Sequence, residues 1–191
     1  MTQDNESSGH RAMPSMRWST FAVMIAVSTI VMFGLMYLNT YQADHVFFSQ
    51  TRMWMALYMG AVMAAIMLAF MWTMYRGQGT KIAVMIASAL AFAGSLYLVR
   101  SQQTVGDEAW MKAMIPHHSI AVLTSSRAHI QDRRVRELAD SIVEAQVREI
   151  EEMKLLIADI EANGTRGTVD LPARPAVLTP EMKADAEAKL R

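Results

Sequence analysis

Residues 110–122 bring together the side chains of this protein that could do metal chemistry. Two adjacent histidines, His117 and His118, follow a proline and are preceded by Met111 and Met114. Imidazole nitrogens and thioether sulfurs form a soft to intermediate ligand set, which suits Cu(I), Ag(I) or Cu(II). The sequence has 18 methionines and no cysteine, which excludes thiolate metal sites, disulfides and cysteine nucleophiles.

A helical hairpin is predicted to position these side chains, and the fold class is all-α. The first helix follows a cap at Thr104 or Asp107 and runs to about residue 130. After a QDRR turn, the second helix covers about 134–162 and ends at Asn163-Gly164, the usual place for a C-terminal cap.

Each predicted helix carries an apolar stripe with spacings of three and four residues, and each stripe has a polar residue at its centre. The stripe on the first helix consists of Met111, Met114, His118, Val122, Ser125 and His129. The stripe on the second consists of Val135, Ala139, Ile142, Gln146, Ile150, Met153, Ile157 and Ile160. These two stripes are expected to form the seam of the hairpin.

Facing residues should have numbers that sum to about 264, because antiparallel helices rise equally from a turn near residue 132. The pairs predicted by this register are His118 with Gln146, Met111 with Met153, and Met114 beside Ile150. His117 lies about 100° around the helix from His118, at the edge of the stripe. The polar and sulfur-bearing groups of both helices therefore gather at one level.

We predict a soft-metal site at this level of the hairpin, with copper as the suspected ion and silver as a possible one. The predicted ligands are His117, His118, Met111, Met114 and Met153. Gln146 and Glu149 would hold the second imidazole nitrogen in its tautomer. Pro116 would help to aim the helix. The alternative, which spacing alone leaves open, is a core histidine bonded to Gln146 with methionines that only pack.

Three apolar segments without charged residues precede the hairpin, at residues 21–38, 53–75 and 82–99. Each is about long enough to cross the ~30 Å hydrocarbon layer of a bilayer. The first is too long for a signal-peptide core and is interpreted as an uncleaved anchor. Basic residues favour a cytoplasmic N-terminus and an extracytoplasmic hairpin in a bacterial inner membrane. Those on the cytoplasmic side are Arg11, Arg17, Arg76 and Lys81, against Arg52, Arg100 and Lys112 opposite.

The predicted domains follow from this division of the chain. Residues 1–17 form a disordered cytoplasmic tail, 18–99 a three-span transmembrane domain, and 100–164 the hairpin. Residues 165–191 form a linker and a short helix that begins at Thr179-Pro180.

The hairpin sequence resembles a bacterial family, the domain of unknown function numbered 305. Its first hallmark, Met-Ile-x-His-His, is present at residues 114–118. The second, an Ala-x-x-Ile-x-x-x-Gln-x-x-Glu-Ile-x-x-Met run, is present at residues 139–153. The resemblance covers about 50 residues and implies a ferritin-like helical fold outside the cytoplasm. It also implies copper or silver binding and tolerance, as for some members.

This chain departs from the family pattern at two points. Many members have a methionine six residues after the second histidine, where this chain has Thr124. The thioether missing at Thr124 is expected to change either the affinity of the site for its metal or which metal the site prefers. The three-span anchor is also outside the core pattern, which often follows a single anchor or signal.

The remaining alternatives concern catalysis, transport and partners. No enzyme is expected, because the Glu-x-x-His pairs of di-iron sites and the H-E-x-x-H motif are absent.

A row of methionines in the second span is interpreted as a packing ridge rather than a Cu(I) ladder: Met55, Met59, Met63, Met67 and Met71. Expected partners are the lipid bilayer, a metal ion and a second copy, because a two-helix hairpin buries little surface by itself. The zero net charge gives no sign of nucleic acid. A non-metal scaffold or interaction module remains the alternative function.

Overall fold

The computed structural model describes residues 16–190, and the prediction of an all-α fold is confirmed in that range. Its helices are α1 (Trp18–Leu35), α2 (Gln50–Phe70), α3 (Gln78–Ser101), α4 (Asp107–Arg127), α5 (Arg133–Asn163) and α6 (Pro180–Ala188), with a 3-10 turn at Ala43–His45. The predicted disordered tail, except for its last two residues, lies outside the described residues.

The chain forms two compact units. The span unit contains α1, α2 and α3, and runs up to Leu35 and then from Thr51 to Gln102. The hairpin unit contains Met36–Gln50 and the chain from Gln103 onward. The connection between α1 and α2, which the predicted boundaries place with the spans, is thus grouped with the hairpin.

All three helices of the span unit are long and apolar enough to cross a membrane. They contain 18, 21 and 24 residues, which corresponds to about 27 to 36 Å of helix. Large apolar side chains such as Ile30, Phe70 and Leu90 are exposed along them. Exposed apolar surface of this kind suits contact with lipid.

The core of the span unit forms where Phe21, Leu68 and Tyr75 meet. The rings of Phe21 and Tyr75 pack edge to face, with centroids 5.4 Å apart. Met67 and Met71, from the methionine row of α2, pack against this cluster. For the five-methionine row as a whole, the interpretation as a packing ridge stays a prediction.

Gly60 allows α1 and α2 to approach closely. A Cβ atom added at this glycine would lie 2.4 Å from Oγ1 of Thr29. That hydroxyl is held by a 2.8 Å hydrogen bond to the carbonyl of Ile25, so it cannot move away freely. Small residues at such crossings let helix backbones pack tightly within a membrane.

The hairpin unit is built on α4 and α5. The predicted cap of α4 at Thr104 or Asp107 is wrong, because the N-cap residue is Gly106 and no described side chain bonds there.

The ends of α5 do have local capping residues. The Asp132 carboxylate accepts a 2.9 Å hydrogen bond from the backbone N–H of Arg134 at the start of α5. Hydrogen bonds from the side chain and backbone of Arg134 lower the pKa of Asp132 to about 2. Gly164, with φ of +77°, ends α5 in a conformation that favours glycine. The predicted cap at Thr179 also forms, with the side chain accepting from Met182.

The core of the hairpin unit is an apolar cluster between α4 and α5. Its buried members are Met111, Ile115, Val122, Ile150, Met153 and Ile157. The predicted stripes extend too far toward the turn, because α4 ends at Arg127 and leaves His129 and Val135 exposed. The seam is therefore shorter than the sequence predicts.

Candidate functional site

His118 makes the central polar contact between α4 and α5. Its Nε2 atom lies 2.8 Å from Oε2 of Glu149. The amide of Gln146, one turn earlier on α5, donates to the same oxygen at 3.3 Å. The His118 side chain is 11% exposed and that of Glu149 is 43% exposed. The contact thus lies at the edge of the core, where water can reach the carboxylate.

The residue of α5 that bonds to His118 is Glu149, about one helical turn beyond the Gln146 that the approximate register places opposite it. Helical side chains lean toward the N-terminus of their own helix. On α4 this lean carries a side chain away from the turn, and on α5 it carries a side chain toward the turn. The imidazole of His118 therefore lies opposite a residue farther from the turn than Gln146. That residue is Glu149, whose long side chain reaches Nε2.

The other ring nitrogen of His118 has no hydrogen-bond partner. Nδ1 is buried, and no described side chain or backbone group bonds to it. Because Nε2 faces a carboxylate, we assign the ring proton to Nε2, which leaves the Nδ1 lone pair free. Buried polar atoms nearly always find a partner, so this nitrogen is suited to a ligand from outside the chain.

Thioethers from both helices lie in the cluster next to this histidine. Met111 and Met153 are buried in it, and Met114 packs against it half-buried. Met114 precedes His118 by one turn of α4, on the side toward which the imidazole leans. The structure therefore collects the three predicted methionine ligands in one cluster.

His117 lies apart from this group. It is exposed, and its ring centroid is 6.2 Å from that of His118 with the planes at 65°. In the described part of the chain, no three His, Asp or Glu side chains are grouped so as to hold a metal ion. A site of three or more ligands in this hairpin would consequently need the thioethers.

Sequence reasoning missed a second buried histidine, which lies in the connection between α1 and α2. His45 is 7% exposed, and its Nδ1 is 2.9 Å from Oγ of Ser119. The same hydroxyl accepts a 2.7 Å hydrogen bond from the backbone N–H of Tyr41. The available signal was Ser119 itself, a polar residue at helical spacing between Ile115 and Val122.

The connection covers a face of α4 of which the predicted stripe includes Val122 but neither Ile115 nor Ser119. Ile115, Ser119 and Val122 are almost fully buried, whereas the predicted His118 is at the edge. The reason is that α4 packs against two elements, α5 on one side and the connection on another. Phe47 from the connection packs directly against the hairpin cluster.

An ion pair also ties the connection to α5. The ammonium group of Lys154 lies 2.6 Å from Oδ2 of Asp44, and this hydrogen bond lowers the pKa of the carboxyl. Burial lowers the pKa of His45 and outweighs the opposite effect of the neighbouring Asp44. A cavity of about 290 Å³ beside these groups is lined by both elements, including Glu151 of α5.

Comparison with known proteins relates residues 96–157 to a family, and a stretch of 64 residues of the chain to a viral protein. The model of the family described as "Domain of unknown function (DUF305)" matches residues 96–157, which include α4 and most of α5. Uncharacterized protein L153 of Acanthamoeba polyphaga mimivirus is 34% identical over 64 residues, 32% of this chain and 42% of the relative. The chain thus spans about two fifths of that relative. No solved structure matches.

Proposed function

We propose that this hairpin, which includes most of the residues matched by the DUF305 model, binds a soft metal ion, copper or silver, and that the protein acts in metal homeostasis or tolerance. The observation that carries the proposal is the buried Nδ1 atom of His118, which has no hydrogen-bond partner among the described residues. The thioethers of Met111, Met114 and Met153 lie in or against the apolar cluster between the same two helices.

The ligands would be Nδ1 of His118 and the thioethers of Met111, Met114 and Met153. Glu149 would fix the tautomer and raise the basicity of the imidazole through its bond to Nε2. Thioethers and imidazole favour Cu(I) and Ag(I) over harder ions. His117 would contribute a second imidazole from the exposed side of α4, to the same ion or to one shared with a neighbouring subunit.

The proposed location is a bacterial inner membrane with the hairpin on its outer, extracytoplasmic side. Three helices are long and apolar enough for the anchor. The excess of basic residues before α1 and between α2 and α3 favours a cytoplasmic N-terminus. Three crossings then place α4 and α5 outside the cytoplasm.

Removing the His118 imidazole is expected to weaken the tightest Ag(I) site at least tenfold. The measurement is a titration of the full chain in detergent with Ag(I), and with Cu(I) under reducing conditions. The His118→Ala variant is compared with His129→Ala, which removes an exposed histidine of the same chain. A tenfold change corresponds to about 1.4 kcal/mol of binding free energy.

Two results decide this experiment. Lower affinity in His118→Ala together with unchanged affinity in His129→Ala supports the proposed site. Equal affinities in the wild type and both variants contradict it, and would leave a core histidine bonded to Glu149.

A second candidate function, a non-metal interaction module, is favoured by the outer face of α5. Val147, Leu155 and Leu156 are between 45 and 63% exposed on this helix. Such a module should keep its function when His117 and His118 are both replaced by alanine, whereas a metal protein should lose it. The double variant therefore separates the two functions in a copper- or silver-tolerance assay.

We further propose that a second copy of the chain covers this face of α5, giving a four-helix bundle. The face combines the three apolar side chains with Arg148 and Glu152, so it offers both apolar area and opposite charges. Replacing Leu155 and Leu156 by glutamate is expected to convert dimers to monomers in native mass spectrometry. A glutamate at the exposed Val169 of the linker is the control. Dimers that persist in the double variant would exclude this interface.

A further inference from the structure

The connection between α1 and α2, residues 36–49, is held on the hairpin by side chains outside the proposed ligand set. We call this segment the strap. It lies outside the family match at residues 96–157. Three ties hold it: the bonds of Tyr41 and His45 to Ser119, the ion pair of Asp44 with Lys154, and the packing of Phe47 on the apolar cluster.

The hydrogen bond that the Ser119 hydroxyl can donate to His45 forms only while His45 is neutral. A serine hydroxyl has one proton to donate, and here its oxygen already accepts from the N–H of Tyr41. The hydroxyl proton can therefore go to Nδ1 of His45, which must be unprotonated to accept it. Protonation would turn Nδ1 into a donor and leave the hydroxyl proton without this acceptor, at a side chain with 0% exposure.

The surroundings of His45 offer little compensation for a positive charge. On the strap itself, Asp44 Oδ1 lies 3.8 Å from Nε2, but this carboxylate is already paired with Lys154. The charged groups that α5 contributes to the adjoining cavity are the carboxyl of Glu151 and the ammonium of Lys154. On α4 the neighbours Ser119 and Val122 are uncharged, and the cation Arg127 stacks on Tyr41 with 5.7 Å between the guanidinium carbon and the ring centroid.

We propose that the strap is docked on the hairpin while His45 is neutral and is released when His45 is protonated. Release removes Phe47 from the cluster that contains Met111 and Met153. Acid therefore exposes two thioethers that are 4% and 6% exposed in the docked state. The consequence for metal uptake rests on the proposed function, whereas the docking step itself does not.

The direction of the pH dependence follows from burial. Burial lowers the pKa of His45 in the docked state below its ordinary value of 6.5. Docking is therefore fully favoured above about pH 6.5, where His45 is neutral in both states. As the pH falls below that value, the released state takes up the proton first, and the docking equilibrium changes by up to tenfold per pH unit.

Methionine oxidation tests the proposal without any metal. The full chain in detergent is treated briefly with hydrogen peroxide at about pH 7.5 and about pH 5, on either side of the ordinary histidine pKa. Sulfoxide formation at Met111 and Met153 is then measured by peptide mass spectrometry. Met182, which is 58% exposed outside the cluster, serves as the internal reference.

Relative to Met182, oxidation of Met111 and Met153 is expected to rise several-fold at the acidic pH in the wild type. The rise should be absent in His45→Gln, which cannot titrate, and Ser119→Ala should oxidise rapidly at both pH values. A wild type with equal rates at both pH values overturns the proposal, as does a rise that persists in His45→Gln.

A direct titration of His45 covers the case in which His45→Gln fails to dock and oxidises rapidly throughout. The wild-type chain with isotope-labelled histidine is followed by NMR, and the His45 signal is assigned by its loss in the variant. Its midpoint should lie below the ordinary histidine value and coincide with the midpoint of methionine oxidation. Two different midpoints would overturn the proposal.

Discussion

Replacing Ile115 by alanine is expected to lower the unfolding free energy of the hairpin unit by about 2–5 kcal/mol. Ile115 is 0% exposed and lies in the apolar cluster with Val122 and Ile150. The substitution removes buried methyl groups and leaves a cavity that α4 and α5 can close only in part. The change is measured by denaturant unfolding of the full chain in detergent, followed by circular dichroism.

The matched control is Val135→Ala on α5. Val135 is 49% exposed, and a surface substitution of this kind should change stability by no more than about 0.5 kcal/mol. Equal losses in the two variants would mean that Ile115 does not lie in a packed core. The arrangement of α4 against α5 and the strap would then be wrong.

Short-range features of this fold could be predicted from the sequence because their causes are local. Gly164 and Thr179 were identified as the residues at two helix ends, and both occupy those positions. A left-handed glycine at a C-terminus and a hydroxyl cap before a proline act over a few residues only. The three apolar spans were equally predictable, because length and lack of charge suffice.

The orientation of α4 could not be predicted, because it depends on a contact across 74 residues. The apolar spacing around His118 permitted a stripe centred on that residue. The structure instead buries Ser119 as fully as Ile115, because His45 and Tyr41 of the strap satisfy its hydroxyl. Ser119, a polar residue on an apolar face of α4, thus indicated that a distant segment of the chain packs there and bonds to its hydroxyl.

The candidate site was predictable in its residues and less so in its geometry. The three methionines from α4 and α5 do gather in one cluster, as the seam required. Of the two residues predicted to hold the His118 imidazole, Glu149 bonds to it directly, whereas Gln146 bonds to Glu149, because side-chain lean shifts contacts relative to backbone level. Which imidazole nitrogen is free depends on that partner, and it is the free Nδ1 that gives the site its proposed function.

Buried methionines in this hairpin have two possible roles, filling the core and binding a metal ion. Only the second role requires the sulfur atom. Met111 and Met153 fill the apolar core whether or not a metal binds. Leucine has nearly the same volume as methionine, so exchange of the two usually costs less than about 1.5 kcal/mol. Leucine has no sulfur and cannot be a ligand.

The Met111→Leu/Met153→Leu double variant is accordingly expected to keep nearly the stability of the wild type and to bind Ag(I) at least tenfold more weakly. Denaturant unfolding gives the first quantity and titration of the full chain gives the second. Met182→Leu, in the exposed helix α6, is the control for loss of a thioether outside the cluster. Unchanged Ag(I) affinity in the double variant would assign both sulfurs to packing alone. Weaker binding at unchanged stability has no explanation in packing, because the leucines keep the core filled, and it would assign the sulfurs to the metal.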